Sequence, residues 1–260
     1  MPIITRIFNL IRKLATVLLP LRLREWLRAR QRKYRLQSVP FGTVDFGGLR
    51  RLDPISPIFG KDRDLLSVER YYIEKFLSTH AGDVKNRVLE MGDPNYTHKF
   101  GGDRVTQSDV LNYVPGNPKA TIVADLTTAE NISDNSFDCI IITQTLQMIF
   151  DVPAAIHNLH RILKPGGVVL ATSHGITRVA RREGVDSWGE YWHFTSQSTK
   201  RLFGEVFPDE NVTIQTYGNV LTTIGSLHGL GAAELSPQEL DYCDPNYELL
   251  VTVRAEKPAN

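Results

Sequence analysis

The sequence predicts a doubly wound α/β sheet, mostly parallel and seven-stranded, behind an N-terminal helical extension. Three observations carry this. Short apolar runs bounded by turn residues alternate with helical patterns from about residue 87 onward. The stretch 137–167 reads FDCIIITQTLQMIFDVPAAIHNLHRILKPGG and runs straight into VVLATSHGI. That is an apolar strand, a short amphipathic helix, a Lys-Pro-Gly-Gly turn and a second apolar strand, as expected of two buried parallel strands joined by a crossover helix. Finally, 260 residues with 42% hydrophobic and 23% charged content can build one large domain with a sizeable core.

The elements follow in order. Residues 3–30 read as one or two amphipathic helices, interrupted at Pro20, with Ile4, Ile7, Phe8, Ile11, Leu14 and Leu18 at helical spacing and Arg6, Arg12 and Lys13 between them. Residues 38–66 are rich in Gly, Pro and Asp and read as an irregular connector able to close over a site. A helix starts at Ser67, a good N-cap, carries the stripe Val68, Tyr71, Tyr72, Phe76 and Leu77, and ends near 80–82. Strands are expected at 87–91, 104–108, 121–124, 139–143 and 168–173. A helix capped by Thr195 covers 195–207, and the last strands are 212–216 and 248–254, separated by a helix at 218–230 and an acidic turn at 241–246. The organisation is thus a basic arm, 1–40, and one domain, 41–260.

Charge is unevenly placed. Residues 1–35 hold ten Lys or Arg against one acid, Glu25, while the rest of the chain holds 20 basic and 28 acidic residues. Such a split suits a basic arm facing an anionic partner. Apolar residues on one side and arginines on the other fit the anionic face of a membrane; packing on the arm's own domain or on a partner protein fits the pattern equally. The acidic remainder and the lack of an aromatic-interleaved basic platform argue against nucleic acid. No apolar run approaches the ~20 residues of a membrane span, and arginines stand where a signal-peptide cleavage site should be. The expectation is a cytoplasmic protein, held at the inner membrane surface if the arm binds lipid. Cys139 and Cys243 make no disulfide framework. His157 and His160, three residues apart on the crossover helix, lack a third ligand and read as solvated helix residues, so no metal is expected.

In doubly wound sheets, ligands bind beyond the carboxyl ends of the strands. Glu90, Met91, Gly92, Asp93, Pro94, Asn95, Tyr96 and Thr97 close strand one, and Asp109 follows strand two, 19 residues beyond Glu90. A carboxylate at that spacing has two oxygens for the two hydroxyls of a ribose. Asp125 and Leu126 follow strand three, where an acid accepts from an adenine amine. Gln144, among the residues after strand four, is placed to wall the same ligand. Two histidines near the end of the sheet, His174 and His193, are candidate general bases. The second lies in a run of three large aromatics, an acid and an imidazole (Trp188, Glu190, Tyr191, Trp192, His193) whose rings and carboxylate suit a sugar, or equally a core plug before the Thr195 helix.

The segments VLEMGD (88–93), VTQSD (105–109), ADL (124–126), NSFDCIIITQTLQMI (135–149) and LHRILKPGGVVLATSHG (159–175) resemble the ordered motifs of class I S-adenosylmethionine (SAM) methyltransferases, which have a Rossmann-like fold. The resemblance implies SAM as cofactor, with Glu90 and Gly92 by its methionine moiety, Asp109 by the ribose, Asp125 and Leu126 by the adenine, and Gln144 near its centre. The chain departs from the family after Gly92, where Asp93, Pro94, Asn95 and Tyr96 replace further glycines. Proline donates no N–H and fixes φ, so Asp93, Tyr96 or Thr97 must hold the methionine end instead. Arg70-Tyr71-Tyr72-Ile73-Glu74, Gly92–Thr97 and Tyr217-Gly218-Asn219-Val220 also resemble bacterial methyltransferases found with glycosyltransferases in polysaccharide pathways. That resemblance implies O-methylation of a sugar hydroxyl in a glycan, with a glycosyltransferase or a membrane surface as partner of the arm. The alternatives are a degenerate binding module of the same fold, and a small-molecule or lipid-quinone methyltransferase.

Overall fold

The computed structural model describes Pro20, Leu23, Trp26, Arg30 and residues 47–179 and 189–259. It divides the chain into two units, Met1–Arg51 and Leu52–Asn260. In the first, Leu23 and Trp26 are helical and exposed, and the Arg30 guanidinium lies 5.0 Å from the centre of the Trp26 ring. The rest of the expected amphipathic helices lies outside the described residues. No helix among the described residues is long and apolar enough to cross a membrane.

The second unit is built on a seven-stranded sheet: β1 (Asn86–Met91), β2 (Val105–Asn112), β3 (Ile122–Val123), β4 (Phe137–Thr143), β5 (Leu163–His174), β6 (Val212–Tyr217) and β7 (Leu250–Glu256). Their spatial order is β3-β2-β1-β4-β5-β7-β6. The first five pair in parallel, and β7 runs antiparallel to both β5 and β6. The sheet is therefore mixed through one reversed strand, which enters as the hairpin-like partner of β6.

Side-chain alternation on the central strands explains the two-sided core. On β4, Ile140 and Ile142 face one layer while Cys139 and Ile141 face the other. The first layer is covered by α2 (Val152–Ile162), whose Ala155, Ile156, Leu159 and Ile162 are fully buried, and by Phe203 and Phe207 at the end of α3 (Ser196–Gly204). The second is covered by α1 (Val68–Thr79) through Val68, Tyr72, Ile73, Phe76 and Leu77. Cys139, with Asp83 and Glu90 near it, is a buried free thiol. Two helix starts follow from sequence: Ser67 accepts from Arg70 N–H, and Thr195 forms a reciprocal capping box with Ser198. The region after β6 divides into α4 (Val220–Leu227), capped by Asn219, and a short α5 (Pro237–Asp241), capped by Ser236.

One boundary matters for the site. β2 runs four residues past the expected 104–108, because Val110 and Leu111 continue the apolar strand and the turn comes only at Pro115–Gly116. Met91 pairs with Leu111, so β1 and β2 end level with each other.

Candidate active site

The carboxyl ends of β1 to β4 surround a cavity of about 490 Å³, within the range of cofactor sites. Met91 and Gly92 line it after β1, Asn112 and Tyr113 after β2, and Asp125, Leu126 and Thr127 after β3. Thr145, Met148 and Ile149 close it after β4, and Tyr191 reaches it from the segment that follows β5. The walls are mostly apolar and hold two carboxylates, Asp125 and Asp151, the second of which caps α2 through the Ala154 N–H. Asp125 is held only locally. Both of the protein's bonds to its carboxylate, from the Thr127 N–H and hydroxyl at 2.8 Å each, go to Oδ1.

The turn after β1 needs glycine at one place. Gly92 has φ +81°, and a Cβ there would meet nothing within 4 Å. The cavity is thus open against bare backbone at this point, as close approach of a ligand requires. Asn117 fixes the turn from outside by donating to the Gly92 carbonyl at 2.6 Å.

Of the cofactor residues expected from sequence, Gly92, Asp125 and Leu126 line the cavity. Glu90 does not. Its carboxylate is buried beneath the turn and accepts from the N–H groups of Tyr96 (3.1 Å) and Thr97 (2.7 Å), so it organises the loop in place of the missing glycines. Burial pushes this carboxyl up to about 7, although the two N–H bonds oppose the shift. Asp93 accepts from Asn95 N–H at 3.0 Å and shapes the same turn. Tyr96 is buried in the core, accepts from Arg70 at 2.8 Å and stacks on Phe100. These two do not reach the cavity.

Asp109 also lies elsewhere than expected. With β2 extended, it is an interior strand residue, buried and bonded by Arg87 (2.7 Å), Gln107 (3.0 Å) and the Thr121 hydroxyl (3.0 Å). Asn112 and Tyr113 occupy the strand end in its place, and the Pro-Gly turn at 115–116 was the sequence signal for it. Gln144 sits just behind the wall in the left-handed region, φ +48°, with its Oε1 accepting from Gln147 at 2.9 Å and its Nε2 buried without a partner.

The candidate bases His174 and His193 do not line the cavity; they lie beyond Tyr191, at the end of β5 and in the segment 189–194. His174 closes β5, and its Nε2 contacts Glu190 Oε1. His193 Nε2 lies 3.3 Å from the same oxygen, and the two rings are 4.8 Å apart. Gln147 ties this group to the cavity wall. Its carbonyl accepts from the N–H groups of Tyr191 (2.9 Å) and Trp192 (3.3 Å), and its amide lies 3.4 Å from His174 Nδ1. Burial pushes the His174 imidazole down, which favours the neutral ring. Glu69 at the start of α1, which sequence reasoning did not single out, accepts from Ser226 (2.7 Å) and Thr177 (2.9 Å). Burial raises its pKa, and the Glu190 charge adds to the effect.

The aromatic run divides. Phe194 is buried in the core, Trp188 lies outside the described residues, and Tyr191 and Trp192 are 52% and 42% exposed. Both rings contact Phe150, another residue of the cavity rim, at 5.4 and 5.9 Å.

A sheet of this strand order with its cavity at the mouth of β1 to β4 defines the class of fold: a Rossmann-like α/β sheet with one reversed strand. A family model described as a methyltransferase domain matches residues 101–171. The chain is 27% identical over 128 residues to the ubiquinone/menaquinone biosynthesis C-methyltransferase UbiE of Klebsiella pneumoniae, and 29% identical over 128 residues to that of Serratia proteamaculans. Each match covers 49% of this chain and 45% of the relative, so the chain spans about half the length of the curated relatives it matches. Among solved structures, a SAM-dependent methyltransferase from Archaeoglobus fulgidus shares the fold, with a TM-score of 0.51 at 11% identity, covering 78% of this chain and all of that one. The chain thus carries a segment similar to a methyltransferase domain within a fold shared with that structure.

Proposed function

We propose that this chain transfers a methyl group from SAM to a hydroxyl, and that the acceptor is a sugar or a glycan. The observation that carries the first part is the cavity itself: an apolar slot at the strand mouths, open against the Gly92 backbone and holding the Asp125 carboxylate. These residues fit SAM. Asp125 and Leu126 would meet the adenine, Asn112 offers an amide to the ribose edge, and the Gly92 turn would receive the methionine end. The cofactor supplies a methyl group on a sulfonium that is its own leaving group. The chain's task is then to align an acceptor and, for a hydroxyl, to take its proton. The group His174–Glu190–His193 stands beyond Tyr191, and a neutral imidazole there can receive the proton. The exposed rings of Phe150, Tyr191 and Trp192 form a platform on which the C–H face of a sugar can stack.

Isothermal titration with SAM and S-adenosylhomocysteine tests the cofactor. Saturable 1:1 binding is expected; a folded protein that gives no heat with either is a degenerate binding module. A second reading rests on the matched relatives, which are C-methyltransferases of quinone biosynthesis. There the acceptor atom is a carbon of a lipid-quinone precursor, and the aromatic platform holds its ring. Incubation with labelled SAM, a glycan panel and a quinone-precursor panel, with O- and C-methyl products separated by mass spectrometry, decides between them.

A further inference from the structure

His174, Glu190 and His193 come from two places, the end of β5 and the segment after it, yet their side chains converge on one point. One nitrogen from each ring and one carboxylate oxygen all lie within 4.8 Å of one another. Both Nε2 atoms approach the same oxygen, Glu190 Oε1. We propose that these three side chains form a binding site for a divalent transition-metal ion of the zinc class.

The donor set is two imidazoles and a carboxylate, the set of catalytic zinc sites that keep a position open for water or substrate. Ligands about 2.0–2.2 Å from a tetrahedral ion stand roughly 3.3 Å apart. The His193–Glu190 separation of 3.3 Å is already that edge. The His174–Glu190 contact is tighter, and a rotation of the carboxylate would open it. The Glu190 side chain is 1% exposed and that of His193 36%, so the site is buried at its carboxylate and reachable past one imidazole. That combination gives an ion both a low-dielectric seat and an entry path.

The surroundings supply the partner that a metal-bound histidine needs on its other nitrogen. Gln147 places its amide 3.4 Å from His174 Nδ1. Oxygen and nitrogen of an amide are interchangeable by rotation, and Gln144, its partner, carries an amide that can turn with it. With Gln147 Oε1 facing Nδ1–H, the proton sits on Nδ1 and the lone pair of Nε2 points to the ion site. His157 and His160 lie on α2 and take no part in this group.

The site stands on this geometry alone. Its use rests on the methyltransferase reading: the ion's open position would take the acceptor hydroxyl and lower its pKa, its proton leaving to solvent water as the oxygen takes the methyl and the sulfonium leaves as a neutral thioether, with the imidazoles serving as ligands rather than as bases.

The test uses the full-length chain, stripped of metal and without SAM. Zn²⁺ is titrated in competition with a chromophoric chelator, and Co²⁺ is followed by its visible absorption. One equivalent is expected at micromolar affinity or tighter, with Co²⁺ bands of a four- or five-coordinate ion. His193→Ala and Glu190→Gln, checked for native circular dichroism, should each weaken Zn²⁺ binding at least about ten-fold. Gln147→Leu should weaken it by about 10- to 100-fold, and His157→Ala should leave it unchanged. Binding of less than half an equivalent overturns the proposal. So does Zn²⁺ binding that is indifferent to both His193→Ala and Glu190→Gln. Because no SAM is present, failure here leaves the cofactor reading intact, and failure of the SAM titration leaves this one intact.

Discussion

Asp125 is the cavity carboxylate proposed to meet a nucleoside, and Asp125→Asn isolates its charge. Asparagine retains an oxygen for the Thr127 bonds, so the turn should survive. A charged hydrogen bond contributes about 1.5–3 kcal/mol, so calorimetry should show S-adenosylhomocysteine binding weakened by about ten-fold or more. An unchanged Kd would mean that Asp125 does not touch the nucleoside. Glu90 makes a different prediction, one of stability. Its folded pKa, about 7, lies above the ordinary carboxylate value, 4.5. The unfolded chain therefore loses this proton first as pH rises, and the folded state is disfavoured progressively between about pH 4.5 and 7. The group's contribution is fully present below that window and gone above it, a difference of about 3 kcal/mol. Urea unfolding at pH 5 and pH 8 should show the wild type losing stability by that order, and Glu90→Gln should flatten the slope. Equal slopes in the two proteins would remove Glu90 as the titrating group.

At the scale of elements, the His174–Glu190–His193 group depends on how tightly β5, the residues before β7 and the segment 189–194 meet. Gly175 follows β5 at that junction. A Cβ there would lie 2.1 Å from the Glu248 carbonyl oxygen and 3.0 Å from that of Phe194. Backbone cannot yield as a flexible side chain can, so Gly175→Ala should destabilise by about 1–3 kcal/mol and displace the adjoining His174. Gly82→Ala, where a Cβ meets nothing within 4 Å, serves as the neutral control. Chemical denaturation of the two variants checks this, and equal midpoints would contradict it. The same scale shows why helix starts were legible and strand ends less so. Ser67 and Thr195 cap through bonds to residues three positions away, which sequence displays directly. The end of β2 depends on pairing with β1, a contact across about twenty positions. Asp109 followed from the wrong strand end, and Asn112 was missed for the same reason.

For the whole molecule, the uneven charge predicts a measurable behaviour. Each Lys or Arg close to an anionic bilayer contributes about 1 kcal/mol, and residues 1–35 carry ten against one acid. We expect the full chain to sediment with anionic vesicles, to release as salt is raised, and to ignore neutral vesicles; a chain lacking 1–35 should bind neither. Retained binding by that truncation would place the contact elsewhere, and a glycosyltransferase or other protein would be the better partner to seek. The sequence by itself determined the α/β class, the parallel core strands, the crossover helix, and that Gly92, Asp125 and Leu126 stand at strand ends, where they line the cavity. All of these rest on local periodicity, turn chemistry or motif order, which act over a few neighbouring positions. Only the tertiary structure decided that Glu90 and Tyr96 support a loop, that Asp109 ties β1 and β2 to Thr121 just before β3, and that His174, Glu190 and His193 share one point. Such roles depend on which side chains the folded sheet brings within bonding distance, and linear spacing carries no record of that.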